Sequence, residues 1–166
     1  MRTLRPLSVG VAGAAIALVA AACSSGSSSS STTTTQSPAQ ATAVITTNWT
    51  TFFDGNNPDS NAKLLLLQNN GKLGATFQKN FAGNASTAAM TAAKVTSVQV
   101  LPASQCQQAA VPSPCAKVSY DLVNRTNGSP LLAGQTGYAV YVNGKWQISQ
   151  NTFCALIALT GSQCPA

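Results

Sequence analysis

A tight turn near the C-terminus is the feature that most constrains how this chain can fold. Asn143-Gly144 lies between two segments, 138–142 and 145–148, whose side chains alternate in the manner of strands. Both residues of a type I′ turn need a positive φ, which Asn and Gly adopt readily, so the pair predicts a two-residue β-hairpin. The chain is therefore expected to contain an antiparallel sheet. The hairpin register predicts three cross-strand pairs: Tyr141 with Trp146, Ala139 with Ile148, and Val142 with Lys145.

Three helices are predicted before this sheet. Between residues 40 and 53, apolar side chains recur at steps of three and four, which is the spacing of one helical face. Asp59 or Ser60 can cap a short second helix through the four leucines 64–67, and we expect this run to be buried on several sides. A third helix carries one apolar stripe formed by Leu73, Phe77 and Phe81.

Strand periodicity replaces helical periodicity after residue 93. Residues 95–101 are rich in Val and Thr, and Val118, Tyr120 and Leu122 alternate with their neighbours in a way that puts these three on one face. Helices first and antiparallel strands afterwards predict the α+β fold class, with the helices on one face of a sheet.

The N-terminus has the pattern of an export and lipidation signal. Residues 1–6 carry two arginines and are followed by a run of small apolar residues, 7–22, that is shorter than the ~20 residues a membrane span needs. This run leads directly into Cys23 and resembles a bacterial lipobox, in which the cysteine thiol is diacylated and becomes the first residue after cleavage, although Ala20 stands where that pattern prefers Leu. The alternative is an ordinary secretory signal that is cut near Ala22 and leaves Cys23 as a free thiol.

These features divide the chain into three parts. We expect residues 1–22 to be a signal peptide with a lipobox, residues 23–38 a disordered Ser/Thr-rich tether, and residues 39–166 a single α+β domain. The tether contains no large apolar residue, so burial cannot offset the entropy cost of folding it. We expect lipid on Cys23 to hold the protein at the extracytoplasmic face of the cell membrane, the alternative being secretion.

Four cysteines remain after Cys23, an even number that is typical of a disulfide framework in an exported protein. Four cysteines allow three pairings, and sequence alone does not choose among them. We favour the local pairing Cys106–Cys115 and Cys154–Cys164. The first would close a proline-containing loop between two strands, and the second would tie the C-terminal tail to the segment after the hairpin.

The composition disfavours several classes of function. The chain has no histidine and three acidic side chains, Asp54, Asp59 and Asp121, which is a poor set for acid/base chemistry or for a metal site, so we expect no metal and no cofactor. Two of its nine basic residues lie in the leader. The other seven are scattered singly, whereas a nucleic-acid surface would cluster them with aromatic residues, so we expect no nucleic-acid partner.

Five short segments occur in a characteristic order: Trp49–Gly55, Val118–Leu122, Gly134–Gly137, Val142–Ile148 and Thr152–Leu156. Taken together, they resemble the C-terminal domain of the mycobacterial low-molecular-weight secreted antigen family. The likeness extends from about residue 41 to residue 164. It implies a fold similar to nuclear transport factor 2, in which a curved antiparallel sheet wraps around the N-terminal helices as a cone. It implies an exported or lipid-anchored actinobacterial antigen. It does not indicate what biochemical activity the protein has.

We therefore expect an exported, lipid-anchored module that binds or interacts without catalysis. A small apolar ligand would lie in a pocket among the large aromatic residues, although the same residues would also fill the core of a domain this small. One alternative is a structural or protein-partner surface antigen that contacts an envelope protein and has no pocket. A second alternative is a cone-fold enzyme that uses Asp121, but the strand periodicity turns Asp121 away from the core. The expected pocket residues are Trp49, Phe53, Tyr120, Tyr141 and Trp146.

Overall fold

The computed structural model describes residues 36–165. The segments predicted to be a signal peptide and nearly all of the predicted tether, together with Cys23, lie outside the described residues. The elements run in the order α1 (Pro38–Phe52), α2 (Ser60–Leu64), α3 (Asn70–Gly83), α4 (Ala85–Ala89), β1 (Thr91–Leu101), α5 (Ala103–Gln108), β2 (Cys115–Asn124), β3 (Pro130–Val142), β4 (Lys145–Ile148) and α6 (Gln150–Ala158).

The four strands form one antiparallel sheet in the order β1-β2-β3-β4, so every strand pairs with its neighbour in the chain. Helix α1 packs against both β1 and β4, which are the two outer strands of this sheet. Three strand spacings of ~4.8 Å would put those strands about 14 Å apart in a flat sheet. A helix about 10 Å across reaches both only because the sheet curls around it. The fold is thus α+β with a half-barrel sheet, and the predicted fold class is confirmed.

The hairpin has the predicted turn and register. Asn143 and Gly144 have φ of 51° and 77°, as a type I′ turn requires. The structure also pairs residues 139, 141 and 142 with residues 148, 146 and 145, respectively. The free edge of β4 is covered, because Gln68 N–H donates to the Ile148 carbonyl at 2.9 Å and Ile148 N–H donates to the Leu66 carbonyl at 2.8 Å. The link between α2 and α3 therefore extends the sheet by one short parallel bridge.

Local sequence signals explain where α1 and α2 begin. Ser37 and Gln40 form a capping box: the Ser37 hydroxyl accepts the Gln40 N–H at 3.3 Å, and the Gln40 side chain accepts the Ser37 N–H at 3.0 Å. Helix α1 therefore begins at Pro38, two residues before the apolar periodicity predicted. Asp59 caps α2 by accepting the N–H groups of Asn61 and Ala62 at 3.0 and 2.9 Å.

The structure corrects the expectation for the four leucines. Only Leu67 is fully buried, and Leu65 is 67% exposed. The reason is that α2 ends at Leu64, so the run leaves the helix and follows the edge of β4, where successive residues point to different sides.

Three helices were not predicted at all. They are α4, α5 and α6, of five, six and nine residues. The first two are too short to show a helical period in the sequence. Helix α5 occupies the start of the predicted loop between Cys106 and Cys115.

The four described cysteines form two local disulfides. Cys106 on α5 is joined to Cys115 at the start of β2, with their Cα atoms 5.9 Å apart. Cys154 on α6 is joined to Cys164 in the C-terminal tail, with their Cα atoms 5.4 Å apart. Both Cα distances lie in the usual range for disulfides. The first bridge is fully buried in a small second core with Val140, whereas the second is half-buried.

Candidate functional site

An apolar cavity of about 270 Å³ lies where the C-terminal ends of three helices meet. Helices α1, α3 and α6 end at Phe52, Gly83 and Ala158, and residues from the last turns of all three line the cavity, as do residues of α4, β1 and β2. The complete lining is Phe52, Phe53, Lys63, Phe77, Asn80, Phe81, Asn84, Thr87, Ala88, Thr91, Leu122, Phe153, Leu156, Ile157, Leu159 and Thr160.

Aromatic rings form one continuous wall of this cavity. Phe77 on α3 has its ring centroid 6.0 Å from Phe52, 5.8 Å from Phe81 and 5.9 Å from Phe153. Phe52 and Phe53 meet edge to face at 5.0 Å. Phe77 and Phe81 are four residues apart on one helix, so their side chains lie on the same face by the helical repeat. The wall thus joins α1, α3 and α6 through side-chain contacts that fix the shape of the cavity.

Lys63 is the only charged side chain that lines the cavity. It is 2% exposed, although lysine is almost never fully buried without a partner. Its Nζ donates to the carbonyl oxygen of Asp54 at 2.8 Å and lies 5.2 Å from the centroid of the Phe81 ring. Burial lowers the pKa of Lys63, because the charged form loses water, and the negative charge of Asp54 offsets part of this effect. The cavity therefore places one ammonium group beside an aromatic and aliphatic surface.

Sequence analysis missed Lys63, although the sequence contained a signal for it. In the helix predicted through residue 67, Lys63 and Leu67 would share one face, because they are four residues apart, and the structure buries both. A lysine that shares a face with the buried member of a leucine run is a candidate for a buried charge. The prediction for this segment concerned the burial of the four leucines and did not include Lys63.

Of the five expected pocket residues, Phe53 lines this cavity and the other four do not. Trp49 and Tyr120 are fully buried and meet edge to face at 6.1 Å, and Phe53 stacks on Tyr120 at 5.7 Å. Tyr141 and Trp146 pack against each other at 5.3 Å across the hairpin, remote from the cavity lining. These rings pack in the space between the curled sheet and α1.

The three aspartate side chains accept hydrogen bonds from backbone N–H groups. Asp59 caps α2, and Asp54 Oδ1 accepts the Asn56 N–H at 2.9 Å in the turn after α1. Asp121 Oδ1 accepts the Gly134 N–H at 2.7 Å beside an irregularity in the pairing of β2 with β3. None of the three lines the apolar cavity, and residues 36–165 contain no cluster of three or more metal-ligating side chains.

One further geometric observation concerns membranes. Among the helices of the described part of the chain, none has both the length and the apolar character needed to cross a bilayer.

Comparison with protein families gives a match over most of the described residues. A family model described as low molecular weight antigen MTB12, C-terminal domain, matches residues 38–164. The match begins at the first residue of α1 and includes all the helices and strands described above. No curated protein matches the chain.

Proposed function

The chain belongs to the low molecular weight antigen MTB12 C-terminal domain family, a family of secreted antigen domains, and on that premise we propose that it is an exported, lipid-anchored module that binds a small apolar ligand. The binding site is the cavity between the ends of α1, α3 and α6. Binding occurs without catalysis, and the N-terminal lipid keeps the domain at the outer face of the cell membrane.

The observation that carries this proposal is the cavity itself. A cavity of about 150 Å³ lined by aliphatic and aromatic side chains stays dry and binds benzene. The volume here is about 270 Å³, which is space for roughly ten to twelve heavy atoms on that scale. It lies just below the ~300–1,000 Å³ typical of ligand sites. The lining is mainly apolar, and an apolar ligand in this volume would remove that surface from water.

The anchor is supported by the leader and by Cys23. Cys23 follows a run of small apolar residues and precedes a tract of serine and threonine that contains no large apolar residue. Mass analysis of the mature N-terminus tests this part: a diacylated Cys23 is expected, and an unmodified thiol or cleavage elsewhere would contradict it.

Octanol, a neutral ligand of nine heavy atoms, tests the cavity. Titration into the ¹⁵N-labelled protein should shift the amide signals of residues along the cavity wall, such as Phe81 and Ile157. Leu156→Trp should abolish these shifts, because Leu156 is half-buried in the wall and an indole there fills the volume. Ala155→Trp is the matched control on the same helix, since Ala155 is exposed and does not line the cavity.

The octanol experiment can also contradict the proposal. Shifts scattered over the surface, or shifts that Leu156→Trp leaves in place, would show that the cavity does not bind the probe. Native mass spectrometry of protein extracted from its own membranes provides an independent measurement. A retained molecule of fatty-chain mass is expected.

A further inference from the structure

The ammonium group of Lys63 lacks a carboxylate partner among residues 36–165. Its only hydrogen bond there is to the Asp54 carbonyl oxygen, and the described residues contain no side-chain carboxylate within ion-pair distance of it. An ammonium group has three N–H donors, so two remain. The negative charge of Asp54 offsets only part of the cost of burying this ammonium group, and an anion brought into the cavity would offset more of it.

The cavity lining contains one ammonium group and two side-chain amides in an otherwise mainly apolar wall. Lys63 Nζ lies beside the Phe81 ring, and Asn80 and Asn84 also line the wall from α3 and the residue after it. Each of these two amides gives one N–H to a backbone oxygen, of Thr76 at 3.0 Å and of Asn80 at 2.9 Å, and each amide has a second N–H. The rest of the wall is chiefly Phe, Leu and Ile. Such a site suits a ligand with one small polar head and one apolar tail.

We propose that the ligand of this cavity is a single-chain amphiphile whose carboxylate head pairs with Lys63 Nζ and whose tail lies along the phenylalanine wall. This inference rests on the proposed function. A carboxylate fits better than a phosphate, because phosphate sites generally use arginine forks or several backbone N–H groups, and no arginine lines the cavity. The burial that lowers the pKa of Lys63 would be countered by such a head, which favours the charged ammonium.

The helix ends make Lys63 necessary for this preference. The C-terminal turns of α1, α3 and α6 line the cavity, and helix C-termini carry partial negative charge, which disfavours an anion. Without Lys63 the cavity should prefer a neutral head to a carboxylate. The charge of Lys63 thus decides whether the cavity prefers a carboxylate head or a neutral one.

Three ligands of one chain length test the inference on the natural protein at pH 7: octanoate, octanol and octylammonium. Octanoate should bind about tenfold or more tightly than octanol, as a hydrogen bond between two charged groups allows, and octylammonium should bind most weakly. NMR titration measures the three affinities, and the ¹³Cε signal of Lys63 should move with octanoate and hardly with octanol.

Lys63→Met removes the charge and keeps a long side chain. In this variant the order should reverse, with octanol binding more tightly than octanoate. Lys79→Met is the matched control, because Lys79 is an exposed lysine of α3 outside the cavity lining and its loss removes the same net charge. It should retain the preference for octanoate.

The outcomes separate the two proposals. If octanol and octanoate bind equally to the natural protein, or if Lys63→Met keeps the preference for octanoate, the carboxylate inference is wrong while the apolar site stands. If no ligand of the three shifts the cavity residues, the proposed function is wrong, and the inference fails with it. If Lys63→Met does not fold, the affinity order on the natural protein and the Lys63 signal still decide.

Discussion

The centre of the domain and the cavity beside α6 are built from the same kinds of side chain, and only the centre is filled. In the packed core, defined here by Ile45, Trp49, Leu73, Tyr120 and Ile148, every member is at most 1% exposed. In the apolar cavity, the phenylalanines contact one another around a space of about 270 Å³. Composition therefore does not distinguish a core from a binding site in this protein.

The difference lies in what closes each region. The curled sheet surrounds α1 along the packed core. Because its strands are held together by hydrogen bonds, the side chains between the sheet and α1 stay in contact. The cavity is partly open to solvent and is bordered by the ends of separate helices, which no backbone ladder joins. Ends of helices can stand apart at modest cost, because their last carbonyls bind water or caps rather than one another.

Two leucine truncations give the largest expected difference between the regions. Leu73→Ala in the packed core should lower the free energy of unfolding by about 2–5 kcal/mol, because it removes a fully buried side chain and leaves a new void. Leu156→Ala at the cavity should cost about 1 kcal/mol, because its side chain is half-buried and already borders open space. Both leucines lie on helices, so helix propensity cancels.

Urea unfolding of the two variants measures this contrast. Equal losses would mean that the cavity is filled in solution, and the distinction between the regions would be lost.

The two buried ionisable groups, one in each region, should give stability opposite dependences on pH. Burial raises the pKa of Tyr120 in the packed core to about 12, from 10.0. The unfolded chain loses this proton first as the pH rises from 10 towards 12, so stability falls across that range, by about 2–3 kcal/mol in total. The pKa of Lys63 at the cavity is lowered from 10.5. Between this lowered pKa and 10.5, Lys63 is protonated to a greater extent in the unfolded chain than in the folded one. The contribution of Lys63 to the free energy of unfolding therefore rises as the pH increases towards 10.5.

Tyr120→Phe keeps the ring and should remove the fall above pH 10, leaving the rise due to Lys63. Tyr141→Phe is the control for loss of a phenol elsewhere in the domain. Chemical unfolding at a series of pH values provides the readout, and an unchanged alkaline fall in Tyr120→Phe would contradict the assignment.

Two glycine substitutions give the smallest effect and test how closely the packed core is filled. A Cβ at Gly137 on β3 would lie 2.6 Å from Thr152 Cγ2 and 3.1 Å from Trp49 Cζ2. Thr152 cannot easily give way, because its hydroxyl accepts the Tyr138 N–H at 2.7 Å. Gly137→Ala should therefore cost about 1–3 kcal/mol.

Gly74→Ala is the counterpart within α3. Its Cβ would meet only Leu64 Cδ2 at an ordinary 3.7 Å, so the gain in helix propensity should stabilise the protein by about 0.5–1 kcal/mol. Thermal unfolding measures the stability of both variants. If Gly137→Ala is as stable as the natural protein, the packed core has room for an additional methyl group.

Part of the fold could be predicted because its causes are local. The hairpin follows from two residues that accept positive φ, and the caps of α1 and α2 follow from side chains three residues or fewer from the N–H groups they bind. Helix α6 had comparable signals in Ser149, which caps it, and in the spacing of Phe153 and Ile157. The sequence therefore contains signals from which α6 can be predicted.

The candidate site could not be predicted in the same way. Phe53 and Tyr120 are both aromatic and in phase with their elements, yet Phe53 lines the cavity and Tyr120 does not. The predicted helix makes Lys63 a candidate for burial beside Leu67, but its position at the cavity depends on contacts with Phe81 of α3 and with the turn after α1.

The sequence by itself determined the class of the fold, the hairpin register and the positions of the first helices, because each depends on contacts between residues close in the chain. The tertiary structure alone decided which aromatic residues fill the core, which border an open volume, and that a single ammonium group is buried beside them. These outcomes depend on how far apart the ends of α1, α3 and α6 lie, and no residue near any one of those ends sets that distance.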